Sequence, residues 1–232
     1  MNQTTSPVLG ISACLAGEAV RYDAGNKRQP VLMALLTPHL QLQPFCPEVE
    51  ARLGVPRPPV ELIQSSAGHV QVRGIEDPRL DVTQALSATA EKYCRQQLSA
   101  LSGFIFKSRS PSCGLGSAPL KDTRGSLLDY HDGLFASRLR RVAPWLPCVE
   151  ESWLKSPEHC YRFLTACWAA AHYHHQYTGH GWLMESLERE LAADSDECVL
   201  HAIIEYLLTP APTAGNTKAA QWGRLLEYWQ SL

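Results

Sequence analysis

The chain has 232 residues, of which 45% are hydrophobic and 19% charged, and its formal net charge at pH 7 is -2. A chain of this length can bury one large core or two smaller ones. Because the charge is nearly balanced, the sequence shows no global basic field of the kind that attracts nucleic acids.

Up to about Ser152 the chain alternates short apolar runs with helical stretches. The segments predicted as strands are Val8–Ala13, Leu40–Phe45, His69–Arg73 and Gly103–Lys107. Between the last two, apolar residues at helical spacing predict a helix over Asp81–Leu101, which Asp81 or Thr83 can cap. The alternation predicts an α/β fold over residues 1-152, with a Rossmann-like, mostly parallel sheet and helices on both faces.

A proline-rich segment interrupts this pattern. The stretch LGVPRPP, Leu53–Pro59, has three prolines in seven residues. Proline lacks the backbone N–H that helices and sheets require, so we predict an ordered loop here.

After about Ser156 the pattern becomes helical. Apolar residues recur at intervals of three and four in several sets, the first being Phe163, Leu164, Cys167, Trp168 and Ala171. We therefore predict a small all-helical region over residues 156-232. Its aromatic side chains are interpreted as packing residues.

The N-terminal segment and the cysteines indicate the compartment. MNQTTSPVLGISACL lacks the cationic and apolar regions of a secretory signal, and no apolar run approaches the roughly 18 residues that a membrane span needs. We expect a cytoplasmic protein with no membrane partner. There, its eight cysteines are better suited to metal binding or catalysis than to disulfides.

Three of the cysteines share one context. Cys14, Cys46 and Cys113 each follow an apolar, strand-like run, and a parallel sheet gathers its functional loops at the C-terminal ends of its strands. Three converging thiolates would make a soft site for iron–sulfur or zinc, and a fourth position left open could bind substrate. The other five lie on predicted helices or in the LPCV run and are interpreted as packing residues.

Three sequence blocks resemble the signature blocks of the thiouracil desulfidase family: ISACLAGEAVRYD, CPEVEARLGVPRPPVEL and FKSRSPSCG. The resemblance runs from about Val8 to Glu151 and includes HDGLFASRLRRVAPWLPCVEES, which is similar to the family's closing helix and strand. It implies a 4Fe–4S cluster held by Cys14, Cys46 and Cys113. The fourth iron, without a protein ligand, would take the sulfur of a thiolated pyrimidine. The implied reaction replaces C=S by C=O and releases sulfide without net electron transfer.

Two side chains near these cysteines are candidates for catalysis. Glu48, two residues after Cys46, is the candidate base that takes a proton from water, and Ser110 could hydrogen-bond the substrate or relay a proton. The resemblance implies the same two positions. The alternatives are an ion pair between Glu48 and Arg57 and a turn-forming role for Ser110.

Further residues of the third block are predicted to bind substrate: Lys107, Ser108 and Ser112. Lys107 could instead neutralise an anionic cluster. Two other functions compete with desulfuration of free thiouracil. One is the same chemistry on 4-thiouridine in RNA, with the helical region as adaptor, which the negative net charge disfavours. The other is a non-catalytic iron–sulfur or zinc protein.

Overall fold

The computed structural model of the protein describes residues 7–37 and 40–174. Its elements in chain order are β1 (Val8–Ser12), α1 (Ala13–Ala16), α2 (Pro30–Leu36), β2 (Gln41–Phe45), α3 (Pro47–Glu50), β3 (Val60–Gln64), β4 (Val70–Gly74), α4 (Thr83–Gln97), a 3₁₀ turn (Leu98–Ala100), β5 (Leu101–Phe106), β6 (Ala118–Lys121), β7 (Leu127–His131), α5 (Leu134–Val142), β8 (Cys148–Glu150) and α6 (Pro157–His174). The residues between α3 and β3, which include the predicted proline-rich loop, form no regular element.

The first sheet is parallel throughout and has the strand order β2-β1-β5-β8. Its central strand β5 is buried along its whole length. Three of the four predicted strands belong to this sheet, and the predicted α/β fold is confirmed. Because all four strands run the same way, the chain leaves the sheet after Ser12, Phe45 and Phe106 at one edge.

A second sheet has the order β4-β3-β6-β7. It is mixed: β3 pairs antiparallel with β4 and parallel with β6, and β6 pairs antiparallel with β7. The predicted strand His69–Arg73 corresponds to β4, so it belongs to this sheet and not to the parallel one. A tight turn joins β3 to β4, with the N–H of Gly68 bonded to the carbonyl of Ser65 at 2.9 Å.

Helices cover both faces of the parallel sheet, as predicted. On one face, residues of α1, α2 and α6 pack with Leu9, Ile11 and Ile105 into one buried cluster. On the other, residues of α4 and α5 pack with Phe104 and Phe106 into a second cluster. Burial on both faces explains why β1 and β5 have continuous apolar sequences.

The predicted helix Asp81–Leu101 is observed as α4 and the 3₁₀ turn that follows it. The carboxylate of Asp81 accepts the backbone N–H of Thr83 at 2.9 Å. The hydroxyl of Thr83 accepts the N–H of Val72 in β4 at 2.9 Å. Of the two proposed caps, Asp81 thus bonds the start of the helix, and Thr83 ties the helix to the second sheet.

Helix α6 packs directly on the parallel sheet. A Cβ atom on Gly103 of β5 would overlap the sulfur of Cys167 and lie 3.3 Å from the ring of Phe163. Phe163 and Cys167 are fully buried. The first helix after residue 156 therefore shares the core of the sheet, while the division into residues 1-152 and 156-232 stays a prediction.

The other helical patterns of the C-terminal region lie outside the described residues, as does Cys198. Within residues 7–37 and 40–174, no helix is long and apolar enough to cross a membrane.

Candidate active site

The three cysteines singled out from the sequence line one cavity. Cys14 lies in α1 directly after β1, Cys46 lies between β2 and α3, and Cys113 lies in the loop between β5 and β6. The cavity has a volume of about 660 Å³. It lies at the edge where β1, β2 and β5 end, and Val60 of β3 and Ile75, directly after β4, contribute to its wall. Residues next to both sheets therefore line the cavity that the three thiols share.

Burial raises the pKa of all three thiols and so favours their neutral form. Burial, and to a smaller extent the neighbouring Cys46, raise the pKa of Cys14 to about 11. Burial also raises the pKa of Cys46 and Cys113, although the Ser12 hydroxyl bonded to Cys113 lowers the pKa of that thiol. A cation bound by these sulfurs would displace their protons.

The arrangement of the three cysteines was compared with that of a site for a single metal ion. Within the part of the chain that the structure describes, no three His, Cys, Asp or Glu side chains are arranged to hold a single metal ion. The three thiols nevertheless surround one cavity and influence one another's pKa.

Glu48 lies in the cavity wall and is held from two sides. Its Oε2 accepts a hydrogen bond from Nε of Arg57 at 2.8 Å and lies 2.7 Å from Nη2 of the same guanidinium, in an ion pair. Its Oε1 accepts the hydroxyl of Ser112 at 2.8 Å. The ion pair with Arg57 considered from the sequence is therefore present, and Glu48 lines the cavity as well.

Arg57 is itself fixed by its loop. Its Nη1 donates to the carbonyl of Gly54 at 2.9 Å, and its backbone N–H donates to the carbonyl of Tyr22 at 3.0 Å. The guanidinium is almost fully buried, with 4% of the side chain exposed. The proline-rich loop therefore orients the Glu48 carboxylate.

Ser110 lines the cavity and organises the turn that carries Cys113. Its Oγ accepts the backbone N–H of Ser112 at 3.2 Å and of Cys113 at 3.1 Å. The turn-forming role considered from the sequence is thus present. Both bonds use the oxygen as acceptor, so its own proton stays available for donation. Ser112 is fully buried and uses its hydroxyl for Glu48.

Helix α5 begins on the same turn, the Cys113 loop (residues 110–114). The N–H groups of Leu134 and Phe135 donate to the carbonyls of Pro111 and Ser112 at 3.1 and 2.9 Å. At Gly133 the chains approach so closely that a Cβ atom would lie 2.6 Å from the Ser112 oxygen and 2.7 Å from the Cys113 nitrogen. The loop therefore satisfies the free N–H groups of the helix N-terminus.

Lys107 and Ser108 line the cavity, but their side-chain donors form hydrogen bonds with Glu151 and with each other. The Lys107 ammonium donates to Glu151 Oε1 at 2.5 Å and to the carbonyl and hydroxyl oxygens of Ser108 at 2.9 Å. The Ser108 hydroxyl donates to Glu151 Oε1 at 2.8 Å. These bonds use all three ammonium protons of Lys107.

Sequence reasoning missed Glu150 and Glu151, at the end of β8. Glu151 accepts the N–H of Ser108 at 2.7 Å, and Glu150 accepts the N–H of Leu115 at 2.7 Å and the hydroxyl of Ser117. The signal was the pair of acidic residues after the apolar run LPCV. The end of that run belongs to β8 of the parallel sheet. The two glutamates therefore lie at the strand ends near which the three cysteines are also found.

The cavity is rich in positive charge. Among the described residues that line it, five are cationic and one, Glu48, is acidic; the cations are Arg21, Lys27, Arg57, Lys107 and Arg109. Arg109 has a positive φ of 61°, and its N–H donates to the Ser117 hydroxyl at 2.6 Å. Sequence reasoning did not identify Lys27 or Arg109. Three of these cations have carboxylate partners, Arg21 with Asp23, Arg57 with Glu48 and Lys107 with Glu151, so the excess of positive charge that an anionic group would meet is modest.

The other described cysteines lie away from the cavity. Cys160 and Cys167 belong to the cluster beneath α6, and Cys94 belongs to the cluster beneath α4 and α5, against which Cys148 packs. Their positions agree with the packing role that we gave them.

Comparison with known proteins gives two findings. A family model described as 2-thiouracil desulfurase matches residues 9–151. The chain is also similar to the solved structure of the [4Fe-4S]-dependent thiouracil desulfidase TudS, with 30% identity and a TM-score of 0.48, covering 65% of this chain and 93% of that one. No curated protein matches the chain significantly. The family match confirms the resemblance seen in the three sequence blocks.

Proposed function

Because the chain belongs to the 2-thiouracil desulfurase family, we propose that it removes the sulfur from a thiolated pyrimidine, most simply free thiouracil, by hydrolysis. The reaction consumes one water, converts the C=S group to C=O and releases sulfide. The observation that carries the proposal is that Cys14, Cys46, Cys113 and Glu48, which come from three different segments, line one cavity.

The family resemblance implies a 4Fe–4S cluster, and the residues of the cavity fit one. Thiolates are the preferred ligands of iron–sulfur clusters. Each of the three thiolates would bind a different iron of such a cluster, and all three cysteines line one cavity. The cationic lining suits the negative charge that three thiolates bring. We therefore propose that Cys14, Cys46 and Cys113 hold the cluster.

When bound, the cluster supplies an iron free of protein ligands, a soft Lewis acid that accepts the thiocarbonyl sulfur. Glu48 takes a proton from the water that attacks the ring carbon. Oε2 of Glu48 faces the Arg57 guanidinium, with one hydrogen bond from Nε and an ion-pair contact with Nη2, whereas Oε1 accepts one bond from Ser112. Since a carboxylate oxygen can accept two hydrogen bonds, Oε1 is the atom available to the water.

Ser110 donates its free hydroxyl proton to the substrate, either to a ring nitrogen or to a carbonyl oxygen. Its oxygen is fixed by two backbone N–H groups, one of them from Cys113. The hydroxyl therefore keeps a constant position relative to the third thiol. A substrate bound through its sulfur would be oriented by this second contact.

The remaining residues of the third block receive positioning roles in this proposal. The Ser112 hydroxyl donates to Glu48, and the Lys107 ammonium and the Ser108 hydroxyl donate to Glu151. We therefore propose that these three hold the wall of the cavity in place, instead of contacting the substrate as expected from the sequence.

The test is anaerobic reconstitution with iron and sulfide, followed by a sulfide-release assay. Substrates are 2-thiouracil, 4-thiouracil, 4-thiouridine and an RNA that contains 4-thiouridine. We expect sulfide release from a free thiouracil, and equal release by Cys94→Ala, whose cysteine lies outside the cavity. Release from the RNA alone would instead assign the RNA reaction. Cluster-loaded protein that releases sulfide from none of these would contradict the proposal.

A further inference from the structure

The ion pair between Lys107 and Glu151 has a fixed orientation relative to the cavity. Lys107 belongs to the cavity lining, with 18% of its side chain exposed. Among the described residues Glu151 is absent from that lining, and 8% of its side chain is exposed. The positive member of the pair thus faces the cavity, and the negative member lies behind it.

The pair is held rigidly by its surroundings. Both carboxylate oxygens of Glu151 accept bonds from Ser108, one from the backbone N–H and one from the hydroxyl. The backbone N–H of Lys107 donates to the hydroxyl of Ser12 at 2.9 Å, two residues before Cys14. A charge pair shielded from water in this way acts more strongly on its surroundings than a solvated pair.

From this geometry we propose that Glu151 is a positioning residue that acts through Lys107 on the group held by Cys14. Lys107 brings positive charge to that group, and Glu151 fixes the ammonium and limits its effect. This inference rests on the proposed function, because it concerns the cluster assigned there.

The reduction potential of the cluster reports the effect directly. Reduction adds a negative charge to the cluster, so nearby charges shift its potential. Glu151→Gln removes a negative charge and should shift the potential of the reconstituted protein to more positive values. Lys107→Met removes a positive charge and should shift it to more negative values. A loosened fold would not produce two shifts of opposite sign.

Two matched variants control for charge and position. Lys107→Arg keeps the charge and should keep a potential near that of the unmodified protein. Glu150→Gln removes a neighbouring carboxylate that bonds Leu115 and Ser117, and it should shift the potential less than Glu151→Gln.

The measurement is a spectroscopic redox titration of the cluster-loaded full chain, with iron content checked in each sample. Shifts of opposite sign for Glu151→Gln and Lys107→Met support the inference. If Glu151→Gln fails to fold, the contrast between Lys107→Met and Lys107→Arg decides it. A Lys107→Met protein with an unshifted potential overturns it. Sulfide release is assayed separately, so a loaded protein without activity contradicts the proposed function while the potentials still test this inference.

Discussion

The hydroxyl of Ser112 donates to Oε1 of Glu48 at 2.8 Å. Ser112 directly precedes Cys113, and Glu48 lies two residues after Cys46, so the bond connects two of the cysteine-bearing segments. Arg57 holds the other carboxylate oxygen from the proline-rich loop. A nearby arginine and a serine 64 positions away therefore hold one carboxylate, and the proposed base has a single orientation in the cavity.

Removing any one of the three proposed ligands should release the cluster. Cys14→Ala, Cys46→Ala and Cys113→Ala should each lose most of their iron, because two thiolates hold a cluster poorly. Iron and sulfide are measured after anaerobic reconstitution, and about four of each per chain is expected for the unmodified protein. Cys94→Ala, a buried cysteine of the core beneath α4, is the control and should keep its cluster. Full iron content in Cys113→Ala would refute the ligand assignment.

Glu48→Gln should keep the cluster and lose activity. Glutamine keeps the size of the side chain but cannot accept a proton, and loss of a general base typically costs about two to four orders of magnitude in rate. Ser112→Ala leaves the carboxylate in place and removes one hydrogen bond to it, worth roughly 1.5 kcal/mol or tenfold in rate. Single-turnover sulfide release distinguishes the two. Near-normal turnover by cluster-loaded Glu48→Gln would remove Glu48 from the mechanism.

Gly133→Ala should disturb the third cysteine although Gly133 lies outside the cavity lining. The added Cβ would meet the backbone of Ser112 and Cys113, which cannot move aside without shifting the Cys113 loop. We expect lower thermal stability together with a cluster that iron chelators remove faster. Gly125→Ala is the control: its φ of 86° imposes strain of about 1 kcal/mol, but its Cβ would meet no atom within 4 Å. Equal rates of iron loss in the two variants would contradict the prediction.

The contact between α6 and β5 can be tested by a double-mutant cycle. Gly103→Ala should destabilise the protein by about 1–3 kcal/mol, because its Cβ would overlap the sulfur of Cys167. Cys167→Ala removes that sulfur, so the double variant should be less destabilised than the sum of the single variants. Urea unfolding measures all four proteins. Strict additivity would show that the two residues do not contact.

Truncation extends this test to the whole helix. A chain ending at Ser156 lacks α6 and exposes the apolar face that Phe163 and Cys167 cover, so it should aggregate. A chain ending at His174 keeps α6 and should stay in solution, which sedimentation can measure. Comparison of the chain ending at His174 with the full chain shows whether sulfide release from RNA, but not from free thiouracil, needs the residues beyond His174. A well-behaved chain ending at Ser156 would contradict the packing role of α6.

The sequence predicts the parallel sheet well because buried strands carry their own signal. Segments such as Gly103–Lys107 are apolar up to their last residue, and a cysteine follows each of three strands. Strand β7 lacks such a signal, since all five of its residues are exposed. Its stability comes from pairing with β6. A strand with no buried face need not show the alternation of apolar and polar residues from which strands are predicted.

The partners of the site residues were harder to predict for a different reason. Glu48 and Ser112 are separated by 64 positions, and Lys107 and Glu151 by 44. The sequence identifies each residue type but not which of several possible partners it meets, because that depends on how the strand ends come together. The pairing of Glu48 with Arg57, nine positions apart in one loop, was accordingly the pairing that could be foreseen.

The junction between the Cys113 loop and helix α5 has a consequence for how the protein matures. The loop owes its shape to backbone bonds with Leu134 and Phe135 and to the Ser110 hydroxyl, none of which involves a metal. In zinc fingers, by contrast, the chain stays unfolded until the metal arrives. We therefore expect the polypeptide to fold before a cluster is inserted, which would make cluster delivery a late, separate stage of biogenesis.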